Sequence, residues 1–228
     1  YTGVCGSDVH GFTGENGRRS AGQVMGHESE GQISRIGLDV DPSLFAMGQR
    51  VTFNPVVLPG ADLKNFAGRE QHSPNKYVIG VQPDYPAAFA QYVIVPASNV
   101  VVLDPRIVPG AGALVEPLAV ALHAVQRAKV DKEDKVLVIG GGPIGQSIVL
   151  ALRQKGVSSV LVSEPNEARR ELVGCLGAGT VNPSTSEQAL PLAVDREFGE
   201  PPSVVFDAVG LSETVNAGLN SLALGGTL

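Results

Sequence analysis

The sequence predicts an α/β fold preceded by a β domain, on three observations. Residues 1 to about 105 hold short β-rich runs broken by Gly, Pro and Asp turns, the pattern of a small irregular β unit. From about Leu118 onward, strand-length apolar runs alternate with helix-length amphipathic runs, which specifies a parallel sheet with helices on its faces. A glycine run, Gly140-Gly141-Gly142-Pro143-Ile144-Gly145, joins one such strand directly to one such helix. The division falls near residue 117, giving units 1–117 and 118–228.

In the first unit the β-rich runs lie at 32–36, 50–53, 89–95 and 100–103. In the second, strands are expected at 136–139, 160–163, near 180–182 and at 204–207, with a further stub at Leu228. Helices are expected over 143–155, over 167–176 and from about Ser212. Ile144, Ile148 and Leu152 recur at i, i+4 and i+8, so they form the stripe that packs on the sheet.

Composition narrows the function classes. An apolar fraction of 43% with 18% charged residues excludes a disordered chain or a coiled coil. A net charge of -6 without any Lys/Arg run argues against nucleic acid as a partner. Two cysteines, Cys5 and Cys175, cannot build a disulfide framework and suit a reducing cytoplasm. The most apolar stretch, 107–125, carries Glu116, His123, prolines and glycines, so it reads as protein core and not as a membrane span. His123, with no second ligand at i+4, reads as a packed core histidine.

The glycine run follows the buried strand Val136-Leu137-Val138-Ile139, the context a dinucleotide fingerprint requires. Gly140 permits the tight turn, Gly142 lets the backbone approach a pyrophosphate, and Gly145 lets the helix lie close to the sheet. The helix start at Pro143 and Ile144 then presents a positive end to the anion. Glu164, at the end of the next strand, is placed to accept hydrogen bonds from the adenine ribose, and its charge favours NAD over NADP. Arg169, five residues on, is the opposing cue for a 2′-phosphate.

Cys5, His27 and a carboxylate from Glu28 or Glu116 could supply the three protein ligands that a catalytic zinc needs. Glu116 lies among Ala113, Leu114, Val115, Pro117 and Leu118, where an unpartnered carboxylate would be costly. A catalytic metal site and a nicotinamide fingerprint in one chain point to alcohol–carbonyl redox chemistry.

The blocks Val4-Cys5-Gly6-Ser7-Asp8-Val9-His10, Gly26-His27-Glu28, Glu116-Pro117-Leu118-Ala119-Val120-Ala121-Leu122-His123 and the glycine run together resemble the zinc-dependent medium-chain dehydrogenases. The branch they are most similar to holds sorbitol, threonine, butanediol and idonate dehydrogenases. The resemblance implies a GroES-like catalytic domain followed by a Rossmann NAD-binding domain, with the active site between them. It implies that Cys5 and His27 ligate zinc, with Glu28 and Glu116 alternating between direct ligation and holding the water at the open position. Ser7 would take the substrate hydroxyl proton and pass it through the nicotinamide ribose toward His10, and Asp8 would orient His27.

Many relatives hold a second, structural zinc on four cysteines, and the corresponding positions here are Pro59, Asp62, Asn65 and Ser73. None is a thiol, so one catalytic zinc and no structural zinc is the expectation. The resemblance also implies further strands before Tyr1 and after Leu228. Both cores are therefore expected to be incomplete, and residues 1–228 alone to be aggregation-prone and inactive.

The expected activity is a hydride transfer between a secondary alcohol, polyol, diol or 3-hydroxy amino acid and NAD, in a homo-oligomer when full length. Two other readings remain open: a non-catalytic nucleotide-binding fragment, and a zinc-free quinone-reductase-like enzyme.

Overall fold

A computed structural model describes residues 1–15, 17–184 and 190–228. The backbone clusters into two units, Tyr1–Glu116 and Pro117–Leu228.

The first unit is built from short antiparallel pairs. β1 (Thr2–Gly3) is followed by the helix α1 (Gly6–Phe12) and pairs with β2 (Glu28–Ser29). β3 (Gly31–Gln32) and β4 (Arg50–Phe53) join β7 (Val100–Val102) in a sheet of order β3-β4-β7. Between them β5 (Val56–Val57) pairs with β6 (Tyr77–Val78). Phe53, Val57, Ile79, Ala87 and Ala88 form its core, a small one for a unit of this length.

Two of the expected strands take another form. Of the run 32–36 only Gln32 lies in a strand, at the end of β3, although Ile33 still exchanges backbone bonds with Gly48 and Gln49 at 2.8 and 3.0 Å. Over 89–95 there is no strand. Tyr92 and Ile94 are exposed while Val93 and Val95 pack against the core, so the alternation correctly separated two faces. Alternation alone does not supply a ladder partner, and the Ile94 carbonyl instead accepts the Tyr85 hydroxyl at 2.6 Å.

The expected fold class holds in the second unit. The division between units falls within α2 (Val115–Arg127). Then come β8 (Val136–Ile139), α3 (Pro143–Gln154), β9 (Val160–Ser163), α4 (Glu167–Cys175) and β10 (Gly179–Val181). α5 (Leu190–Phe198), β11 (Val204–Asp207) and α6 (Ser212–Ser221) complete it. The strands are parallel in the order β10-β9-β8-β11, and Thr227 adds a parallel bridge to Val204.

Every residue of β8 and β9 is buried, as a sheet covered on both faces requires. Val136, Val138, Val160 and Val162 meet Ala121 and Val125 of α2, Ile148 and Leu152 of α3, and Val173 of α4. Leu137, Ile139, Leu161 and Val205 meet Leu190, Val194 and Phe198 of α5 on the opposite face. Ile144 packs at the edge of the first cluster, so the stripe on α3 lies where its spacing placed it.

His123 departs from its reading as a core residue: it is exposed. The buried stripe of α2 is Pro117, Ala121 and Val125, at i, i+4 and i+8, and a residue two places after Ala121 faces the other way. Among the described residues no helix is long and apolar enough to cross a membrane.

Candidate metal centre and dinucleotide loop

Cys5, His27 and Glu28 come together in the first unit, with one ligand atom from each lying within 4.8 Å of the others. Cys5 stands at the start of α1, and His27 and Glu28 run into β2, which pairs beside it through β1. The fold of this unit thus gathers a thiol, an imidazole and a carboxylate. Soft sulfur, nitrogen and oxygen donors in one group suit zinc.

Asp8 ties two of the three together. Its Oδ2 accepts the Cys5 N–H at 3.1 Å, and its Oδ1 faces the His27 Nδ1 at 3.7 Å. With Nδ1 turned to a carboxylate, Nε2 is the ring nitrogen left for a metal. Burial pushes the His27 pKa down, yet a hydrogen bond with Cys5 and the negative charges of Asp8, Cys5 and Glu116 outweigh it and raise the pKa above its ordinary value. A metal cation entering this group would displace that proton.

Glu116 stands outside the group of three but within electrostatic reach of it. Burial raises its pKa above the usual carboxylate range; the Glu28 and Asp8 carboxylates add to this and His27 opposes it. Its approach is fixed by Glu30, a buried residue that sequence reasoning missed. Glu30 Oε1 receives Arg50 Nε at 2.8 Å, and its Oε2 receives the backbone N–H groups of Gly110 and Gly112, each at 2.8 Å. Arg50 Nη1 also holds the Ile107 carbonyl at 2.6 Å. These bonds anchor the 3-10 turn Ala111–Leu114 that delivers Glu116.

Ser7 and His10 lie one turn apart on α1, Ser7 half-buried and His10 exposed and paired with Glu15. Of the four positions corresponding to the structural-zinc cysteines, Pro59 and Asn65 are exposed, whereas Asp62 and Ser73 are buried. The Ser73 hydroxyl donates to Asp62 Oδ2 at 2.6 Å, and Asn75 Nδ2 donates to the same oxygen at 3.1 Å.

In the second unit Gly140 has a φ of 99°, which favours glycine, and a Cβ on Gly145 would collide with the Gly140 carbonyl. Space at Gly142, the N-cap of α3, is open, and Pro143 begins the helix. The strand order changes direction between β8 and β11, and the loop lies at the carboxyl end of β8, where open parallel sheets bind ligands.

Glu164 is buried beneath this loop: its Oε2 accepts the Gly141 N–H at 2.8 Å and its Oε1 accepts the Asn166 N–H at 2.7 Å. It therefore braces the loop, with spare lone pairs on both oxygens. Arg169 Nη1 lies 3.9 Å from Glu164 Oε2.

Comparison with known proteins bears on both constellations. Residues 1–105 match the family described as the alcohol dehydrogenase GroES-like domain, and residues 143–228 match the zinc-binding dehydrogenase family. The chain is 35% identical over 95% of its length to 2-dehydro-3-deoxy-L-galactonate 5-dehydrogenase of Pseudoalteromonas atlantica, of which it covers 62%. The structure of 2R,3R-butanediol dehydrogenase from Bacillus subtilis superposes with a TM-score of 0.85 at 27% identity, over 99% of this chain and 66% of that one. A Sinorhizobium meliloti protein described as a zinc-binding dehydrogenase, bound to NADP, gives 0.86 at 32% identity, over 99% and 65%.

Proposed function

The chain belongs to the zinc-dependent medium-chain dehydrogenase family, and on that premise we propose that it serves an oxidoreductase moving a hydride between a secondary alcohol and a nicotinamide dinucleotide. The chain spans 62% of the length of its galactonate-dehydrogenase relative, so this activity is assigned to the full-length gene product. The substrate class is a polyol, diol, sugar acid or 3-hydroxy amino acid. The observation that carries the reading is the convergence of Cys5, His27 and Glu28 within 4.8 Å in a chain that also holds the glycine loop. A zinc-free reductase would have no use for that group.

Cys5, His27 and Glu28 would hold one zinc, with Glu116 able to exchange for Glu28. Zinc bound there supplies a Lewis acid that eases loss of a hydroxyl proton, and the dinucleotide supplies the hydride acceptor. Ser7 takes the proton and His10, paired with Glu15, delivers it to solvent. Asp8, with Oδ1 3.7 Å from His27 Nδ1, would orient the ring so that Nε2 faces the metal. Residues 1–117 form the catalytic domain.

Residues 118–228 bind the nucleotide. Gly140, Gly142, Pro143, Ile144 and Gly145 receive the pyrophosphate at the start of α3. Glu164 accepts ribose hydroxyls on its spare lone pairs, and its charge disfavours a 2′-phosphate, so NAD is preferred to NADP. Arg169 is already drawn toward Glu164, which supports that preference. The competing reading, NADP, has the bound nucleotide of the Sinorhizobium protein in its favour. The free thiols Cys5 and Cys175 support a cytoplasmic location.

The test is to assay the full-length gene product for zinc content and for NAD and NADP reduction with a panel of diols, polyols, sugar acids and 3-hydroxy amino acids. Zinc-dependent NAD reduction with a member of the panel is expected. Nucleotide binding without zinc or turnover would replace this reading with that of a non-catalytic binding fragment.

A further inference from the structure

We propose that Arg19 is a positioning residue of the metal centre: its buried guanidinium holds the Asp8 carboxylate against the His27 ring, and so fixes the nitrogen that His27 offers to a metal. The inference rests on the metal reading above.

Arg19 lies in a polar stretch, Asn16-Gly17-Arg18-Arg19-Ser20, where an arginine is ordinarily solvated. Its side chain is nevertheless only 5% exposed, against 2% for Asp8 and 9% for His27. Its aliphatic stem lies against Gly11 of α1, where a Cβ would collide with Arg19 Cγ. The missing side chain of Gly11 thus admits the arginine beneath the helix that carries Cys5.

From there Arg19 Nη2 reaches 3.6 Å from Asp8 Oδ1, the oxygen that also faces His27 Nδ1 at 3.7 Å. Among the described residues, Asp8 Oδ1, Arg19 Nε and Nη2, and His27 Nδ1 are all buried without a hydrogen-bond partner. Unpaired buried polar atoms are rare, and four of them on three adjoining residues need an explanation.

Charge supplies one. The Cys5 thiolate and the Glu28 carboxylate match the two positive charges of a zinc ion. That leaves Asp8 as a surplus buried anion, which Arg19 balances. An opposite effect competes, because Arg19 and a metal dication repel. Arg19 touches Asp8 and Asp8 touches His27, so the positioning effect is the shorter-ranged and the stronger.

The experiment measures zinc affinity by competition with a chelating indicator, together with thermal unfolding of the metal-free protein, on the full-length gene product. The variants are Arg19→Met, Arg19→Lys, Asp8→Asn and the Arg19→Met/Asp8→Asn pair. Arg19→Met is expected to weaken zinc binding by about 10- to 100-fold, the range typical of groups that orient a ligand. Arg19→Lys, which keeps the charge, should lose less, and the paired variant should bind no more weakly than Asp8→Asn alone.

Unchanged or tighter zinc binding in Arg19→Met overturns the proposal, as do losses that multiply in the paired variant. If Arg19→Met does not fold, Arg19→Lys in the Asp8→Asn background decides: further loss there overturns the proposal and no further loss supports it. An unaltered protein that binds no zinc overturns the metal reading and this inference with it. Normal zinc binding that is indifferent to Arg19 overturns this inference alone.

Discussion

Around His27, the buried atoms Asp8 Oδ1, Arg19 Nη2 and His27 Nδ1 have no hydrogen-bond partner among the described residues, whereas in the lobe over 59–84 the buried Asp62 and Ser73 bond one another at 2.6 Å. The family resemblance sets both regions against expected zinc positions, the second of which carries no thiol here. Here the first gathers a thiol, an imidazole and a carboxylate within 4.8 Å, and the second holds a hydroxyl that donates to a carboxylate. The difference teaches how to read buried polarity. Polar atoms collected without partners await something that completes them, and polar atoms that satisfy one another are part of the framework.

The comparison breaks most visibly at Cys5. Cys5→Ser removes a soft ligand from the first region and should abolish turnover, a loss exceeding the roughly 100-fold that outlying partners reach. NAD binding, measured by fluorescence titration, should stay within a few-fold because the glycine loop lies in the other unit. Parallel loss of both would show that the two functions are not separable.

In the second region Ser73→Ala should leave the Asp62 carboxylate short of a buried partner and lower stability by about 1 to 3 kcal/mol. Denaturant unfolding would measure this, and limited proteolysis within 59–84 should quicken. Zinc content should not change. A fall in zinc content on Ser73→Ala would mean that this lobe, too, contributes to a metal site.

Glu30 sharpens the comparison at its border. Burial disfavours its charge, but the Arg50 hydrogen bond and the Gly112 and Gly110 amides outweigh this and hold its pKa below the ordinary 4.5. The folded pKa is the lower one, so this stabilisation is present above pH 4.5 and fades as pH falls through the folded value. Melting temperature followed from pH 7 to pH 3 should therefore drop more steeply for the unaltered protein than for Glu30→Gln. Identical slopes would remove Glu30 from the account.

The smallest effect concerns nucleotide choice. Glu164→Ser should raise the efficiency with NADP relative to NAD by about tenfold, equivalent to ~1.4 kcal/mol. It should also loosen the loop, because the Gly141 and Asn166 amides lose their acceptor. An unaltered enzyme that already prefers NADP would contradict the assignment to Glu164.

The parallel sheet was legible in the sequence because its central strands β8 and β9 are runs buried along their whole length and β11 begins with two buried valines. Thus β8, β9 and β11 fall at 136–139, 160–163 and 204–207 as read. The β unit was less so: 32–36 and 89–95 carry strand-like alternation, and a ladder depends on neighbours that local pattern does not reveal. Cys5, His27 and Glu28 could be singled out because their chemistry is distinctive.

Arg19, Glu30 and Arg50 could not, since each looks like a surface charge until remote contacts bury it. Glu30 meets Gly110 and Gly112 across 80 and 82 positions. Glu30 stands between β2 and β3, and nothing local distinguished it from a solvated acid. His123 was misread for the complementary reason, that its apolar neighbours lie on both sides of α2.

The central claim is that only the first of the two regions is a metal site, and metal analysis of the full-length gene product tests it most directly. After zinc-replete expression the account predicts one zinc per chain, lost in Cys5→Ser and retained in Ser73→Ala. Two zincs per chain, or a single zinc that survives Cys5→Ser and disappears in Ser73→Ala, would contradict it.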